Sequence, residues 1–416
     1  EDPRHFFASG DPRGERPMML ALEMYRSPAK FLAAKAMGSR IPAILTGPAA
    51  PLRLVTINEP KADREGWARI RPILSGICGS DLGMVTGHTK LYFSALVSLP
   101  FVPGHEIVGE LLDDCEDLPK GTRVVMDSVL TCAARGVEPC ESCLSGRTSL
   151  CDRITVGHVS PGLQTGFCQD TGGGWGNVMV AHRSQLYAVP EGLSDERAVL
   201  VEPLAGAVHT AFRANVQPGQ SVLVSGAGAV GLFATLALRE LTQAGRITVV
   251  AKHPKQRELA RAFGASDVVA PDEVFRGVRR ATGAFRLKPE MNAKEFLLGG
   301  VDVAVDAVGS KDSIDTVLRV TKAGGRVVLA GMPSTGADLS PVWFRELELT
   351  GTYASSRQEP NGRPAFETAL EIAQKAPLDG VVGARYPLYR WREALDHAQS
   401  AGRLGTVKVA FDVRAS

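Results

Sequence analysis

No stretch of this 416-residue sequence is apolar for the roughly 18 to 20 residues that a membrane-spanning helix requires. An excess of charge is absent too, since the formal net charge is only +2, and no concentrated basic patch is present. Because nucleic acids and anionic membrane surfaces are bound through such patches, we expect neither as a partner. The opening residues EDPRHFFASGDPRGERP have no charged segment followed by an apolar one, so they do not resemble a secretory signal.

Cysteine is scarce and odd in number, at seven residues. An odd count is atypical of a secreted disulfide framework, so it favours a reducing compartment and a cytoplasmic protein. Four of the seven lie in LTCAARGVEPCESCLSGRTSLC, residues 130–151. Cys140 and Cys143 form C-x2-C, and Cys132 and Cys151 each lie eight residues outside that pair. Four thiols this close in a reducing compartment favour a metal site over disulfides.

What is present is the composition of an ordinary globular protein, with 44% hydrophobic and 22% charged residues. Up to about residue 200, short β-type runs such as RLVTI and EIVGELL alternate with turns, which predicts an irregular β-rich domain. From about residue 205, apolar strands alternate with amphipathic helices, beginning with SVLVSG and AVGLFATLALREL. This alternation predicts an α/β domain with a doubly wound parallel sheet.

These two patterns of predicted strands and helices suggest where the domains begin and end. We expect an N-terminal extension over 1–48 with a helix at 27–37, a β-rich domain over 49–203, and a nucleotide-binding domain over 204–350. The tail 351–416 ends in the strand-like TVKVAFDV and is expected to return to the β-rich domain. The basic stretch 275–297 is interpreted as a solvated helix and loop between strands.

The strongest motif is VSGAGAVGL, in which Gly226, Gly228 and Gly231 fit G-x-G-x-x-G directly after a predicted strand. The first two glycines allow a tight turn and a close approach to a pyrophosphate. The third allows the helix to pack closely on the strand. The helix that begins with Ala229 and Val230 presents its N-terminus to the phosphate charge. The motif therefore predicts dinucleotide binding.

The end of the next strand indicates which dinucleotide is bound. NAD-preferring sites generally place an acid there for the ribose 2′-hydroxyl, but RITVV continues into Ala251, Lys252, His253, Pro254 and Lys255. Without an acid, a 2′-phosphate is not repelled, and Lys252 or Lys255 can pair with it. We therefore favour NADP(H) over NAD(H), the alternative being lysines that only solvate a helix start.

A second set of residues has the chemistry of a catalytic zinc site. Cys78 lies in SGICGSD, His105 and Glu106 in VPGHEIVGE, and Glu202 in LVEPLAG just before the nucleotide motif. A thiolate, an imidazole and a carboxylate, with a fourth position left to water or substrate, are the donors that catalytic zinc uses.

The motifs GICGSD, PGHEIVGE, VEPLAG, GAGAVG and DAVGS, in this order, resemble the zinc-dependent medium-chain alcohol dehydrogenase family. The branches that include sorbitol, threonine and glucose dehydrogenases are most similar, and the resemblance runs from about residue 52 to the end. It implies a GroES-like catalytic domain joined to a Rossmann cofactor domain, in a homodimer or homotetramer. It also implies hydride transfer between NAD(P)(H) and an alcohol or carbonyl substrate whose oxygen zinc polarises.

By position, the resemblance makes Cys78, His105 and Glu202 the catalytic zinc ligands and Glu106 a neighbouring carboxylate that enters or leaves the coordination shell. Asp81 would orient His105, and Ser80 would relay the substrate proton. Where many relatives carry a histidine five residues after the first zinc cysteine, this chain has Gly83. His88, His158 and solvent are the alternatives for the end of the relay.

The resemblance also bears on the cysteine cluster, because relatives often bind a structural zinc through C-x2-C-x2-C-x7-C. Cys140, Cys143 and Cys151 match the last three positions, whereas the first falls on Val137, which cannot bind metal. Cys132 is our first choice for the missing ligand, Glu138 is the other nearby donor, and a metal-free lobe is the third alternative. Cys115 and Cys168 are expected to be ordinary thiols.

Two other classes of protein are alternatives to this family. A zinc-independent NADPH-dependent quinone or enoyl reductase shares the fold but generally lacks the cysteine, histidine and glutamate set. A non-catalytic binding protein would have no need of intact metal and nucleotide motifs. The substrate is a small molecule that the motifs do not identify, and Tyr92, Phe93 and Phe101 are candidates for its pocket.

Overall fold

The computed structural model describes residues 17–37, 50–291 and 293–416. The helices are α1 to α12 in chain order: Pro28–Met37, Gly79–Val85, Glu141–Leu144, Asp195–Ala198, Val201–Ala214, Ala229–Leu241, Pro254–Ala262, Val274–Thr282, Lys311–Val320, Ser340–Arg345, Ala365–Lys375 and Trp391–Ser400. The strands are β1 to β17: Met18–Met24, Leu52–Asn58, Trp67–Gly76, Ile107–Leu111, Arg123–Met126, Met179–His182, Leu186–Ala188, Ser221–Ser225, Arg246–Val250, Asp267–Val269, Phe285–Leu287, Phe296–Leu298, Val301–Asp306, Thr321–Leu329, Glu348–Gly351, Val382–Tyr386 and Lys408–Asp412.

The first domain is built on a seven-stranded sheet with the path β16-β17-β3-β4-β5-β7, to which β6 adds by pairing with β3. Its pairings are antiparallel except for β16 with β17. The tail 351–416 is expected to return to this domain, and in the structure β17 pairs with β3 and aligns Ala410 with Gly76. The sheet therefore brings the C-terminal strand next to the segment that leads into Cys78.

Strand β1 lies inside the interval 1–48 that the sequence suggested as an extension. It pairs antiparallel with β2 over seven residues and contacts the first domain further, through hydrogen bonds between Met24 and Phe101 and from Leu22 to Trp175. Helix α1 agrees with the helix predicted at 27–37. We propose that the first domain begins no later than Met18, which makes the segment between β1 and β2 an insertion.

The second domain holds a parallel six-stranded sheet in the order β10-β9-β8-β13-β14-β15. The chain starts at β8, extends in one direction to β10, and then crosses back to β13 on the other side of β8. Ligands of doubly wound sheets bind at such a reversal, outside the carboxyl ends of the strands. The predicted strand and helix of the glycine motif are confirmed as β8 and α6.

The interpretation of 275–297 as a helix and loop was only half right. Helix α8 covers its start, but β11 and β12 then pair antiparallel, with Phe285 opposite Leu298. Within this hairpin Leu297 of β12 is fully buried, whereas Phe285 and Leu287 of β11 are exposed. The sequence did not reveal the hairpin because its two strands are only three residues long and one faces solvent throughout.

The largest core joins the two domains around helix α5. Its buried face carries Ala205, Ala207 and Ala211, whose small side chains allow close contact with neighbouring helices. The same core includes Leu74 of β3 and Val224 of β8. The N-terminus of α5, which carries Glu202, is therefore held at the junction of the domains. Among the described residues, no helix has the length and apolarity needed to cross a bilayer.

Candidate active site

Cys78 lies between β3 and α2, where the extended chain turns into a helix. Its backbone N–H donates a hydrogen bond of 3.0 Å to Asp81 Oδ2. The other oxygen of this fully buried carboxylate lies 3.5 Å from His105 Nδ1. Asp81 therefore contacts both sides of the site, as expected for a residue that orients His105.

His105 follows Gly104, whose φ of +98° is a left-handed conformation that favours glycine. A Cβ at Gly104 would also lie 2.5 Å from Trp175 Cδ1, so no other residue fits there. The His105 ring packs against Phe167 with a centroid distance of 5.6 Å. Burial lowers the pKa of His105, but Asp81 and Cys78 outweigh this and raise its pKa well above the usual value.

The structure brings Cys78, His105 and Glu106 together, with one donor atom of each within 4.8 Å of the others. Glu106 is turned inward because Gly76, on the neighbouring strand, has no side chain. A Cβ at Gly76 would lie 2.0 Å from Glu106 Oε2. Both Glu106 oxygens also accept hydrogen bonds of 2.6 Å from Lys408 Nζ. The donor group is thus a half-buried thiol together with a buried imidazole and a buried carboxylate.

Glu202, in the first turn of α5, lies beside this group and not within it. Burial, with the Glu106 and Asp127 carboxylates, raises the pKa of Glu202 to about 7, while His105 and Lys408 oppose the shift. The resemblance makes Glu202 a ligand and Glu106 a neighbouring carboxylate that enters or leaves the coordination shell. In the structure Glu106 lies in the group with Cys78 and His105, and it also pairs with Lys408.

Ser80 is exposed in the first turn of α2, and Gly83 follows it by one turn. The Gly83 carbonyl accepts N–H bonds from His88 at 2.7 Å and Thr89 at 3.1 Å. His88 therefore lies at the end of the helix that carries Ser80. His158 packs on the cysteine lobe instead, where a Cβ at Gly136 would touch its ring. Of the two histidines considered for the relay, His88 is the better placed.

The three glycines of the nucleotide motif have different surroundings. Gly226 has φ +100°, and a Cβ at Gly231 would lie 1.9 Å from the Gly226 carbonyl oxygen, so both must be glycine. At Gly228, which caps α6, an added Cβ would meet nothing within 4 Å. This combination of a tight turn, a closely packed helix and an open surface at the helix N-terminus fits a pyrophosphate.

The basic residues after β9 differ in availability. Lys255 pairs with Glu258 at 2.7 Å, and His253 packs against Gly402 of the first domain. Lys252 is exposed. Sequence reasoning missed Arg257, whose Nε donates a hydrogen bond of 3.1 Å to the Ala251 carbonyl and so holds its guanidinium near the end of β9.

The four cysteines predicted as a cluster come together. One Sγ atom from each of Cys132, Cys140, Cys143 and Cys151 lies within 4.8 Å of the others. Cys132 Sγ lies 3.6 Å from Cys151 Sγ, far longer than a disulfide bond, and all seven cysteines of the chain are free thiols. Glu138 is exposed and outside the group. Burial raises the pKa of Cys143 and of Cys151, the latter to about 11.

This arrangement was compared with known proteins. A family model described as zinc-binding dehydrogenase matches residues 229–375, and one described as alcohol dehydrogenase GroES-like domain matches residues 64–191. L-idonate 5-dehydrogenase of Vitis vinifera is 30% identical over 319 residues, which cover 75% of this chain and 78% of that protein. The chain belongs to the zinc-dependent medium-chain alcohol dehydrogenase family.

One further relative and one solved structure are also similar to this chain. Sorbitol dehydrogenase of Bacillus subtilis (strain 168) is 28% identical over 336 residues, covering 79% of this chain and 85% of that protein. The crystal structure of a zinc-binding dehydrogenase from Sinorhizobium meliloti 1021 bound to NADP superposes with a TM-score of 0.69 at 22% identity, covering 95% of this chain and 100% of the other. The protein is therefore an NAD(P)-dependent, zinc-dependent oxidoreductase of alcohols, with a GroES-like and a Rossmann domain. The zinc-independent reductase is not favoured.

For this alcohol dehydrogenase, the aromatic pocket candidates fall in different places. Tyr92 is 79% exposed, whereas Phe101 is buried in the core and contacts Phe167. Two other groups interact electrostatically with Glu202 and were not among the predicted site residues. Asp127 raises the pKa of Glu202, and burial together with Glu202 raises the pKa of Tyr353. They come from β-strand ends far apart in sequence, so no local motif marks them.

Proposed function

We propose that this enzyme transfers hydride between NADP(H) and a secondary alcohol or its ketone, with zinc held by Cys78, His105 and a carboxylate. The observation that carries the proposal is the buried group of Cys78, His105 and Glu106 donors beside Glu202. Thiolate, imidazole and carboxylate in one pocket are the donor types that catalytic zinc prefers. His105 Nδ1 and Asp81 Oδ1 are buried and lack well-formed hydrogen bonds, which fits a ring that a metal fixes from its other nitrogen.

The protein groups around the site have separate tasks. A zinc ion bound there supplies Lewis-acid polarisation of the substrate oxygen. With zinc and cofactor bound, Ser80 would take up the proton of the substrate hydroxyl and pass its own towards His88 or solvent, and the nicotinamide would supply the hydride chemistry. Asp81 orients His105 and the Cys78 backbone. Phe167 packs against the His105 ring and excludes water from one side of it.

We infer a substrate whose reacting carbinol is flanked by a further hydroxyl. Sorbitol and L-idonate, named for the relatives, both have this feature. Glu202 provides a carboxylate beside the donor group that suits such a hydroxyl, and Tyr353 interacts electrostatically with Glu202. The test is a comparison of kcat/KM for vicinal diols and polyols with that for simple secondary alcohols of equal length. Equal values for both sets would contradict a hydroxyl-recognising pocket, and turnover of enals alone would contradict the alcohol chemistry.

The preference for NADP(H) is a further proposal. It is supported by the absence of an acid at Ala251, the exposed ammonium of Lys252 and the guanidinium of Arg257 near the end of β9. Because a 2′-phosphate pairs with such cations through charge-assisted hydrogen bonds, we expect Lys252→Ala to weaken NADPH binding by about tenfold. NADH binding should be unchanged, and fluorescence titration measures both.

Lys255→Ala is the matched control for Lys252→Ala. Lys255 pairs with Glu258, so its loss should change NADPH affinity by less than about threefold. If Lys252→Ala weakened the binding of NADH as much as that of NADPH, Lys252 would not bind the 2′-phosphate. Ala251→Asp should shift the preference towards NAD(H), because a carboxylate there accepts from the ribose 2′-hydroxyl and repels a phosphate.

We further propose a second zinc in the four-cysteine lobe, with Cys132 as the ligand that the family spacing lacks. Arg135 is fully buried next to Cys132 and donates to the carbonyls of Leu130, Val159 and Gly162, among others. These bonds shape the turn that returns Cys132 to the other thiols. Since zinc must displace the thiol protons, its retention in the lobe should fall as the pH falls.

Cys132→Ser should lower the zinc affinity of the lobe by at least about 100-fold and leave the catalytic zinc in place. Elemental analysis of gel-filtered protein measures the loss of one equivalent. Glu138→Gln is the control, because this exposed carboxylate lies outside the thiol group and its loss should leave the zinc content unchanged. A loss of zinc in Glu138→Gln and not in Cys132→Ser would reverse the assignment.

The oligomeric state and the cellular compartment are two further proposals. We propose a homodimer or homotetramer, with the outer edge of β15 and the exposed Trp343 (84%) and Phe344 (67%) of α10 as the contact surface. An unpaired strand edge beside exposed aromatic residues favours pairing with an identical edge. Sedimentation equilibrium of the wild type and of Trp343→Glu measures the oligomeric state.

Seven free thiols support a cytoplasmic location, which fractionation of cells would check.

A further inference from the structure

Lys408, the first residue of β17, forms a buried ion pair at the metal site. Its side chain is 4% exposed and that of Glu106 is 1% exposed, and the ammonium lies 2.6 Å from both carboxylate oxygens. The two residues are 302 positions apart in the sequence. Because burying two charges is costly, a pair that lacks a role would be an expensive feature of the fold.

The architecture aims Lys408 at the site. Strand β17 aligns Ala410 with Gly76 of β3, so Lys408 lies two residues beyond that register, towards Cys78. The backbone N–H of Lys408 donates to the Val381 carbonyl at 3.0 Å, which fixes the start of the strand. Gly76 leaves the space that Glu106 fills. The ammonium is therefore held against Glu106 by two sheet pairings and a glycine.

The site contains one donor more than a catalytic zinc needs. Cys78, His105, Glu106 and Glu202 together could supply four protein ligands, and four protein ligands close a zinc site as in structural centres. Catalysis requires a position that remains free for the substrate oxygen. Something must therefore keep one carboxylate from coordinating permanently.

We propose that Lys408 is a positioning residue that holds Glu106 back from permanent coordination, so that the fourth position stays open. The inference rests on the proposed zinc site. Each Glu106 oxygen shares its electron density with the ammonium, which makes it a weaker donor to a metal. The positive charge also lies near Cys78 and Glu202, so it balances part of the anionic charge of the ligand set.

The test uses the full-length protein with cobalt(II) in place of zinc, because its visible absorption reports coordination number and thiolate ligation. In Lys408→Met, Glu106 should coordinate, giving an altered spectrum, about tenfold slower cobalt loss to a chelator and a lower kcat. Lys408→Arg should behave as the wild type, since a guanidinium pairs with both oxygens. The double variant Lys408→Met with Glu106→Gln should return to the wild-type loss rate, because the competing carboxylate is gone.

A folded Lys408→Met protein that loses cobalt at the wild-type rate or faster would overturn the inference, as would a double variant that keeps the slow rate. If circular dichroism shows that Lys408→Met does not fold, Glu106→Gln alone decides. Cobalt loss within about threefold of the wild type supports a carboxylate held back, and loss that is tenfold faster shows a resident ligand. Cobalt in the four-cysteine lobe is common to all variants and cancels in difference spectra. A Cys78→Ala protein with the wild-type cobalt spectrum would instead remove the proposed catalytic zinc itself.

Discussion

Cys78→Ala should lower kcat by about 10³-fold or more, the effect of losing a Lewis acid that contributes several kcal/mol to the transition state. The thiol is the one sulfur ligand among the three clustered donors of the described residues, and the neighbouring carboxylates do not replace a thiolate as a zinc ligand. The fold and the affinity for NADPH should be unchanged, because the cofactor motif lies in the other domain. Steady-state kinetics, zinc content and NADPH titration together measure this.

Cys115→Ala is the matched control for Cys78→Ala. Cys115 is a buried thiol of the first domain that packs in a hydrophobic cluster with Ile70 and Leu111, and its Sγ donates a 3.6 Å hydrogen bond to the Gly66 carbonyl. Its loss should leave kcat and zinc content unchanged. Should Cys78→Ala lose its catalytic zinc and still keep more than about one-tenth of wild-type kcat, a catalytic role for zinc at this site would be untenable, whereas full zinc content would show that Cys78 is not a required ligand.

Gly228→Val should abolish dinucleotide binding while the protein stays folded. A Cβ at this position meets no atom within 4 Å, so the side chain is accommodated in the protein itself. It would occupy the surface at the N-terminus of α6 where the pyrophosphate must approach, and we expect at least about 100-fold weaker NADPH binding. Isothermal titration with NADPH, together with a thermal melt, distinguishes lost binding from lost folding.

Gly351→Val serves as the comparison, because Gly351 also has open space around it and lies in the same domain, at the end of β15. It should bind NADPH as the wild type does. If both variants bound the cofactor normally, the open surface at Gly228 would not be the pyrophosphate site. Gly231→Val is less informative, since a Cβ there would lie 1.9 Å from the Gly226 carbonyl and disturb the packing.

Local patterns were reliable wherever the responsible physics is local. The glycine turn predicted β8 and α6 with their observed bounds, because strand, turn and helix follow one another without interruption. The C-x2-C pair and Cys151 came from spacing alone. The choice of Cys132 over Glu138 could only be ranked, since it depends on a turn built by buried Arg135.

The pairing of strands could not be predicted from the sequence. The hairpin of β11 and β12 and the pairing of β1 with β2 each join short segments whose partners depend on the rest of the fold. Asp127 and Tyr353, which interact electrostatically with Glu202, lie on separate segments of the chain. A β-strand pattern states which face is buried but not which strand lies beside it.

The sequence alone predicted the chemistry that we propose for this protein: a thiol, an imidazole and carboxylates for zinc, and a glycine turn for a dinucleotide. Those assignments follow from residue type and short spacing, which folding does not change. Only the tertiary structure decided how the donors share the site, because Lys408 reaches Glu106 across 302 residues through the pairing of β17 with β3. Sheet register, which no local pattern specifies, places that charge beside the metal ligands.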